Sequence, residues 1–169
     1  MKFLSITASL TLALGLISAG TGFADDTATN DVSSEIVTAI TITSADPLEF
    51  GQIAAGVGAG TVTINATTGL RSGSGVTLLV AGTTPTPATF DVTGDSGSTY
   101  AINLPSADVT ITSTALDTMI VNAFSSNPSG TSTLVGGVDS IAVGATLNVG
   151  AAQPAGVYVG TFDVTVDYN

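Results

Sequence analysis

The sequence predicts an all-β protein, a two-sheet antiparallel β-sandwich, and three observations support this class. Charged residues make up only 9% of the chain, whereas Thr, Val, Gly and Ala are abundant. Short segments alternate apolar and polar residues, and turn residues separate them. Proline falls between these segments, where a missing backbone donor does no harm. Eight to ten short strands at this spacing are typical of a sandwich.

The individual strands are predicted from the alternation, and no convincing helix pattern accompanies them. In chain order they cover residues 32–43, 60–67, 76–80, 89–93, 99–104, 108–112, 119–124, 140–143, 145–149 and 156–169. Between the fourth and fifth of these strands, Gly94-Asp-Ser-Gly97 predicts a β-hairpin turn.

The last predicted strand has the clearest pattern. Its apolar face carries Tyr158, Phe162, Val164, Val166 and Tyr168, with Gly160 interrupting the row. The residues between them are mostly Thr and Asp. Such alternation predicts a half-buried antiparallel strand, and the partner of that strand decides how its sheet is closed.

The first residues predict export. Lys2 precedes an apolar run over residues 3–17, and Gly22-Phe23-Ala24 supplies small residues for cleavage before Asp25. This pattern is typical of a secretory signal peptide over residues 1–24; an uncleaved anchor is the weaker alternative because the run is short. We therefore expect periplasmic transit, a secreted, cell-surface or extracellular location, and no membrane insertion once the signal is removed.

The mature chain is strongly acidic. Without residues 1–24, Arg71 is the only Lys or Arg, against thirteen acidic residues. Such a surface repels phosphate groups, so the composition argues against nucleic acid and anionic lipid as partners. The acidic residues are scattered, which is typical of a solvated surface rather than an interaction tail.

The residues needed for most enzyme chemistry are missing. The chain has no His and no Cys, and its mature part has no Lys, so a base near neutrality, a thiolate and a soft metal ligand are absent. Gly56–Gly60 is interpreted as a turn rather than a dinucleotide loop. Asp91, Asp95 and Ser96 are too sparse for a calcium loop. We expect no enzyme activity, no catalytic site, no metal and no cofactor.

Several segments resemble a known bacterial family. They are Leu48–Gly56, Asn127-Pro128, Val143–Val149 and Gly156–Phe162. Together they are similar to the domain-of-unknown-function family 4402, and the resemblance spans most of residues 36–169. It implies a secreted β-domain without an assigned activity. The expected organisation is a signal peptide at 1–24, an N-terminal extension at 25–44 and a sandwich domain at 45–169.

The C-terminal segment is also similar to subunits of chaperone–usher pili. The resemblance rests on Tyr168, which is penultimate, and on Gly156, fourteen places from the end. It implies an immunoglobulin-like sandwich completed by strand exchange, a pilus or fimbrial role in cell adhesion, a homo-polymer, and a periplasmic chaperone and outer-membrane usher as partners. The residues that would form the assembly strand are Gly156, Tyr158, Phe162, Val164, Val166 and Tyr168.

The N-terminal extension would supply the second strand of such an exchange, which we call the joint between subunits. Val32, Ile36, Ile40 and Ile42 share one face of residues 32–43 and form a candidate donor strand for the next subunit. The alternative is a self-complete sandwich whose first strand is this same segment. That protein would be a secreted binding or surface-coat protein without polymerisation.

Overall fold

The computed structural model describes residues 26–169, and the predicted signal peptide lies outside this range. The described chain contains strands and no helices, as the sequence predicts. The strands are β1 (Thr41–Asp46), β2 (Ile53–Ala55), β3 (Gly60–Ile64), β4 (Arg71–Ser74), β5 (Val76–Leu78), β6 (Ala88–Thr93), β7 (Thr99–Asn103), β8 (Val109–Ser113), β9 (Thr118–Asn127), β10 (Thr131–Thr133), β11 (Val138–Val149), β12 (Tyr158–Val159) and β13 (Thr165–Tyr168).

These strands form an antiparallel β-sandwich, which confirms the predicted fold class. The larger sheet has the order β1-β6-β11-β9-β8-β12, with β3 on β11 and β4 on β3. The opposing sheet has the order β10-β7-β13, and β2 and β5 form a separate pair. Two core clusters lie inside. One joins β6, β7, β11 and β13, and the other joins β3, β9 and β11.

Strand β11 is the longest strand of the described chain and organises both clusters. Its first half pairs with β6 and its second half with β3, while β9 lies along its other edge. The prediction of two strands here, over 140–143 and 145–149, was wrong. A register shift between Gly144 and Thr146 disturbs the alternation without ending the strand. A side chain at Gly144 would overlap the backbone carbonyl of Ile64.

The predicted hairpin at Gly94–Gly97 was also wrong, because β6 and β7 belong to different sheets. The turn is held by hydrogen bonds to residues that lie later in the chain. Its Gly94 N–H donates to the Gly137 carbonyl at 3.0 Å, and its Gly97 N–H donates to the Leu134 carbonyl at 2.8 Å. These bonds attach the turn to the loop before β11, so the chain crosses between sheets instead of folding back on itself.

The C-terminal segment is divided between the two sheets, where the sequence predicts one strand. β12 pairs with β8 in the larger sheet, and β13 pairs with β7 in the smaller one. Residues 160–164 make the crossing. The alternation itself is confirmed, since Val164 and Val166 are buried while Thr165 and Asp167 are exposed. A period-two pattern reports which face a residue occupies, not which strand pairs with it.

Candidate assembly surface

The candidate donor segment is divided at Ile40. Residues 26–40 form no strand, and Val32 and Ile36 are 98% and 94% exposed. Ile40 and Ile42, by contrast, are half-buried and pack against the first core cluster of their own chain. Ile42 lies in β1, opposite Val92 of β6. We call residues 26–39 the arm, since this part keeps its apolar side chains in solvent.

The candidate assembly strand is likewise distributed over two places. Gly156 and Tyr158 lie on the β12 side, where the Tyr158 hydroxyl donates to the Pro154 carbonyl at 2.8 Å. Phe162 sits in the crossing, and its ring lies 6.1 Å from that of Phe90 and 5.1 Å from that of Phe124.

The other three residues of the candidate assembly strand, Val164, Val166 and Tyr168, face the first core cluster. Ile40 and Ile42 pack against the same cluster. Phe162 also packs against this cluster, so the structure brings two of the four candidate donor residues and four of the six candidate assembly residues together within a single chain.

Tyr168, in the candidate assembly strand, contacts the candidate donor segment directly. Its hydroxyl donates to the Thr38 carbonyl at 2.7 Å and accepts from the Asp95 N–H at 2.6 Å. A side chain at Gly94 would overlap this hydroxyl, so the turn needs glycine there. Tyr168 thus ties the C-terminal end of the arm to the crossing between β6 and β7.

Beside this contact lie two open strand edges. β13 ends the smaller sheet and β1 ends the larger one, and within residues 26–169 no further strand pairs with either edge. The two strands approach each other across the sandwich. The Asn169 N–H donates to the Thr99 carbonyl at 3.1 Å, toward β7. Antiparallel ladders alternate, so the backbone groups of Val166 and Tyr168 point to the open side. This edge is able to accept another strand.

The charged residues of the arm, and separately those in and beside β13, are all negative. The arm carries Asp26, Asp31 and Glu35, all exposed, and exposed Asp163 and Asp167 lie in or beside β13. The Asn103 amide donates to Asp167 at 2.9 Å.

The single cation of the described chain lies elsewhere. Arg71 donates from one guanidinium nitrogen to the Phe50 and Gln52 carbonyls, at 2.9 and 3.1 Å, and from another to the Leu79 carbonyl at 2.6 Å. Its donors are occupied by backbone oxygens, so Arg71 stabilises the sandwich and leaves the carboxylates at the open edge without a cationic partner.

A buried polar network was not predicted from the sequence. Tyr100 is fully buried, and its hydroxyl donates to the Asp139 carboxylate at 2.7 Å, which Ser132 also contacts. Burial by itself would raise the pKa of Asp139, but hydrogen bonds from Ser132, Tyr100 and the Ser140 N–H outweigh it and lower that pKa. Burial and the neighbouring carboxylate raise the pKa of Tyr100. In this network the neutral Tyr100 hydroxyl donates to the ionised Asp139 carboxylate, and we assign the network a structural role.

Within residues 26–169, no three acidic side chains gather closely enough to hold a metal ion. Asp95, one of the weak calcium candidates, accepts a hydrogen bond from the Ser98 hydroxyl at 2.8 Å. Two surface depressions in this part of the chain are open and have volumes of about 440 and 400 Å³. No helix with the length and apolarity of a membrane span occurs in this part of the chain.

Comparison with known proteins gives a family and nothing more specific. No curated protein matches the chain, and no solved structure matches it. The similarity to chaperone–usher subunits therefore stays a prediction. A family model, described as Domain of unknown function (DUF4402), matches residues 40–168, from the end of the arm to the last residue of β13. This match covers most of the chain, and the protein belongs to that family.

Proposed function

We propose that this protein is a secreted structural subunit of a cell-surface pilus or fibre. The arm of one copy would add as a strand to the open edge of β13 on the next. The observation that carries the proposal is the near-complete exposure of Val32 and Ile36 in a segment without strand partners. Isolated exposed apolar residues are ordinary, but here they lie at strand spacing on an unpaired segment, and the same sandwich has an unpaired edge.

The packing of two side chains bears on the kind of joint that we propose. Ile40 and Ile42 already pack in the core of their own chain, so the sandwich has its own first strand. The arm would then add a strand to a folded body instead of replacing a missing one. Two apolar anchors remain, each contributing about 1.5–3 kcal/mol on burial. Ladder hydrogen bonds contribute about 0.5–1.5 kcal/mol each, against a substantial entropic cost of association. We expect modest, concentration-dependent affinity between copies.

The assembly partners follow from the same chemistry. An open edge and an exposed apolar arm are aggregation hazards until they are paired. A periplasmic chaperone that covers the edge and an outer-membrane usher that orders the copies would fit a subunit of this kind. Nucleic acid and catalysis play no part in this role.

A second candidate is a self-complete sandwich that binds a ligand or coats a surface without polymerising. The packing of Ile40 and Ile42 in their own core favours it. In this case the arm would be a solvated leader without a partner, and the open edge of β13 would remain unpaired.

Two substitutions separate these candidates. Ile36→Asp places a charge where the arm would be buried, whereas Val57→Asp changes a fully exposed valine outside the arm. Analytical ultracentrifugation of residues 25–169 over a range of concentrations should show multimers for the wild type and Val57→Asp, and monomers for Ile36→Asp. Thermal unfolding should show similar stability for both variants. A wild type that stays monomeric at high concentration, or an Ile36→Asp protein that assembles normally, would contradict the proposal.

Cross-linking tests the location of the joint. The chain has no cysteine, so single substitutions introduce unique thiols. Glu35→Cys and Thr165→Cys proteins, mixed and treated with a short bismaleimide, should give a covalent heterodimer. Thr133→Cys is the matched control, because Thr133 lies in β10 at the opposite edge of the same sheet. Equal cross-linking to Thr133→Cys would place the arm elsewhere.

A further inference from the structure

We infer that like charges control this joint, so that copies associate more tightly as the salt concentration rises. The inference rests on the proposed function and describes how that same surface is regulated. Its basis is a match between two pairs of carboxylates. Asp31 and Glu35 lie four residues apart on the arm, and Asp163 and Asp167 lie four residues apart in and before β13.

Strand alternation decides which side chains would meet. If Val32 and Ile36 turn toward the core, as Val164 and Val166 do, then Asp31 and Glu35 turn outward, as Asp163 and Asp167 do. All four carboxylates would then lie on the outer face of the same sheet.

One register aligns both pairs. With the arm antiparallel to β13, Asp31 lies opposite Asp167 and Glu35 opposite Asp163. The same register sets Val32 beside Val166 and Ile36 beside Phe162. In a parallel arrangement the register that aligns the carboxylates also sets Val32 beside Val164. The pairing that packs the apolar side chains therefore juxtaposes the like charges, whose Cβ atoms would be about 5 Å apart.

Nothing in the described chain compensates this repulsion. Arg71, the only cation of residues 26–169, donates to three backbone carbonyls and does not reach the open edge. The Asn103 amide supplies one neutral hydrogen bond to Asp167. Two unit charges about 5 Å apart in water weaken association roughly 4-fold, and two such pairs roughly 15-fold. Screening over about 10 Å at 0.1 M salt, and about 3 Å at 1 M, removes most of this effect.

Sedimentation equilibrium in NaCl from about 0.01 M to about 1 M tests the inference. The wild-type dissociation constant should fall roughly 10-fold across this range. Asp31→Asn/Glu35→Gln should bind as tightly at low salt as the wild type does at high salt, with little further dependence. Asp91→Asn/Asp117→Asn removes two charges that lie outside the arm and β13, in β6 and in the turn between β8 and β9. It should keep the wild-type dependence, which separates the local effect from net charge.

The outcomes distinguish the two proposals. If the wild type and both double variants stay monomeric at every salt concentration, the joint itself is refuted, and this inference with it. If the wild type assembles but Asp31→Asn/Glu35→Gln retains its full salt dependence, the joint stands and the charge pairing is wrong. A wild-type dissociation constant that rises with salt would overturn the charge pairing in the same way.

Discussion

Replacing Tyr100 with Phe should reveal how much the buried network contributes to folding. Tyr100 is fully buried, and its hydroxyl donates to the Asp139 carboxylate at 2.7 Å. The Phe ring fills the same space, so the change removes one hydrogen bond and leaves no large cavity. A hydrogen bond to a charged acceptor contributes about 1.5–3 kcal/mol. We expect Tyr100→Phe to lower the free energy of unfolding by that amount at pH 7.

The pH dependence follows from the carboxylate. The hydrogen bonds lower the pKa of Asp139 in the folded protein below its ordinary value of 3.8. Its contribution is therefore fully present above the unfolded-state pKa and is lost as the pH falls through the folded-state pKa. Once Asp139 is protonated, Tyr100 donates to a neutral group, and a bond of that kind contributes only about 0.5–1.5 kcal/mol. The difference between the wild type and Tyr100→Phe should shrink on acidification.

Urea unfolding followed by circular dichroism at pH 7 and near pH 2 measures this difference. Tyr158→Phe is the matched control, because its hydroxyl donates to the uncharged Pro154 carbonyl. The control should show a smaller loss that does not change with pH. A Tyr100→Phe difference below about 0.5 kcal/mol at pH 7, or one equal at both pH values, would refute the reasoning.

Three further predictions concern the signal peptide, Arg71 and Gly144. Mass spectrometry of the exported protein should find Asp25 at the N-terminus, and an uncleaved chain would refute the predicted signal peptide. Arg71→Met should lower the free energy of unfolding by about 1.5–3 kcal/mol, because backbone carbonyls lose a charged donor; an unchanged urea midpoint would contradict this. Gly144→Ala should destabilise strongly, because its Cβ overlaps a neighbouring backbone carbonyl, whereas Gly58→Ala, with open space around it, should have little effect on the melting temperature.

The fold class could be predicted because alternation is a local property. In the last fourteen residues, every second side chain from Phe162 to Tyr168 faces inward, as the sequence indicates. The strand β4, by contrast, consists of Arg71–Ser74 and has no apolar alternation. It is a strand because β3 lies beside it. Pairing partners of this kind are set by tertiary contacts, so sequence pattern alone did not find β2, β4 or β10.

The candidate site was predictable to the same extent. The sequence places Val32, Ile36, Ile40 and Ile42 on one face, and that pattern continues without a break. What divides them is the pairing of β1 with β6, about fifty residues later in the chain, which begins at Thr41. The contact of Tyr168 with Thr38 is still more remote, since the two residues lie 130 positions apart in sequence. No local signal marks either feature.

This division at Ile40 decides what kind of assembly the chain can support. A subunit that donated all four aliphatic side chains would have to withdraw Ile40 and Ile42 from its own core and break the ladder between β1 and β6. Each withdrawn side chain would cost about 1.5–3 kcal/mol before any new contact formed. The arm ahead of Thr38 is free of this penalty, because its apolar side chains are already in solvent. The joint that we propose is therefore strand addition by residues 32–37, with the folded monomer as its starting state.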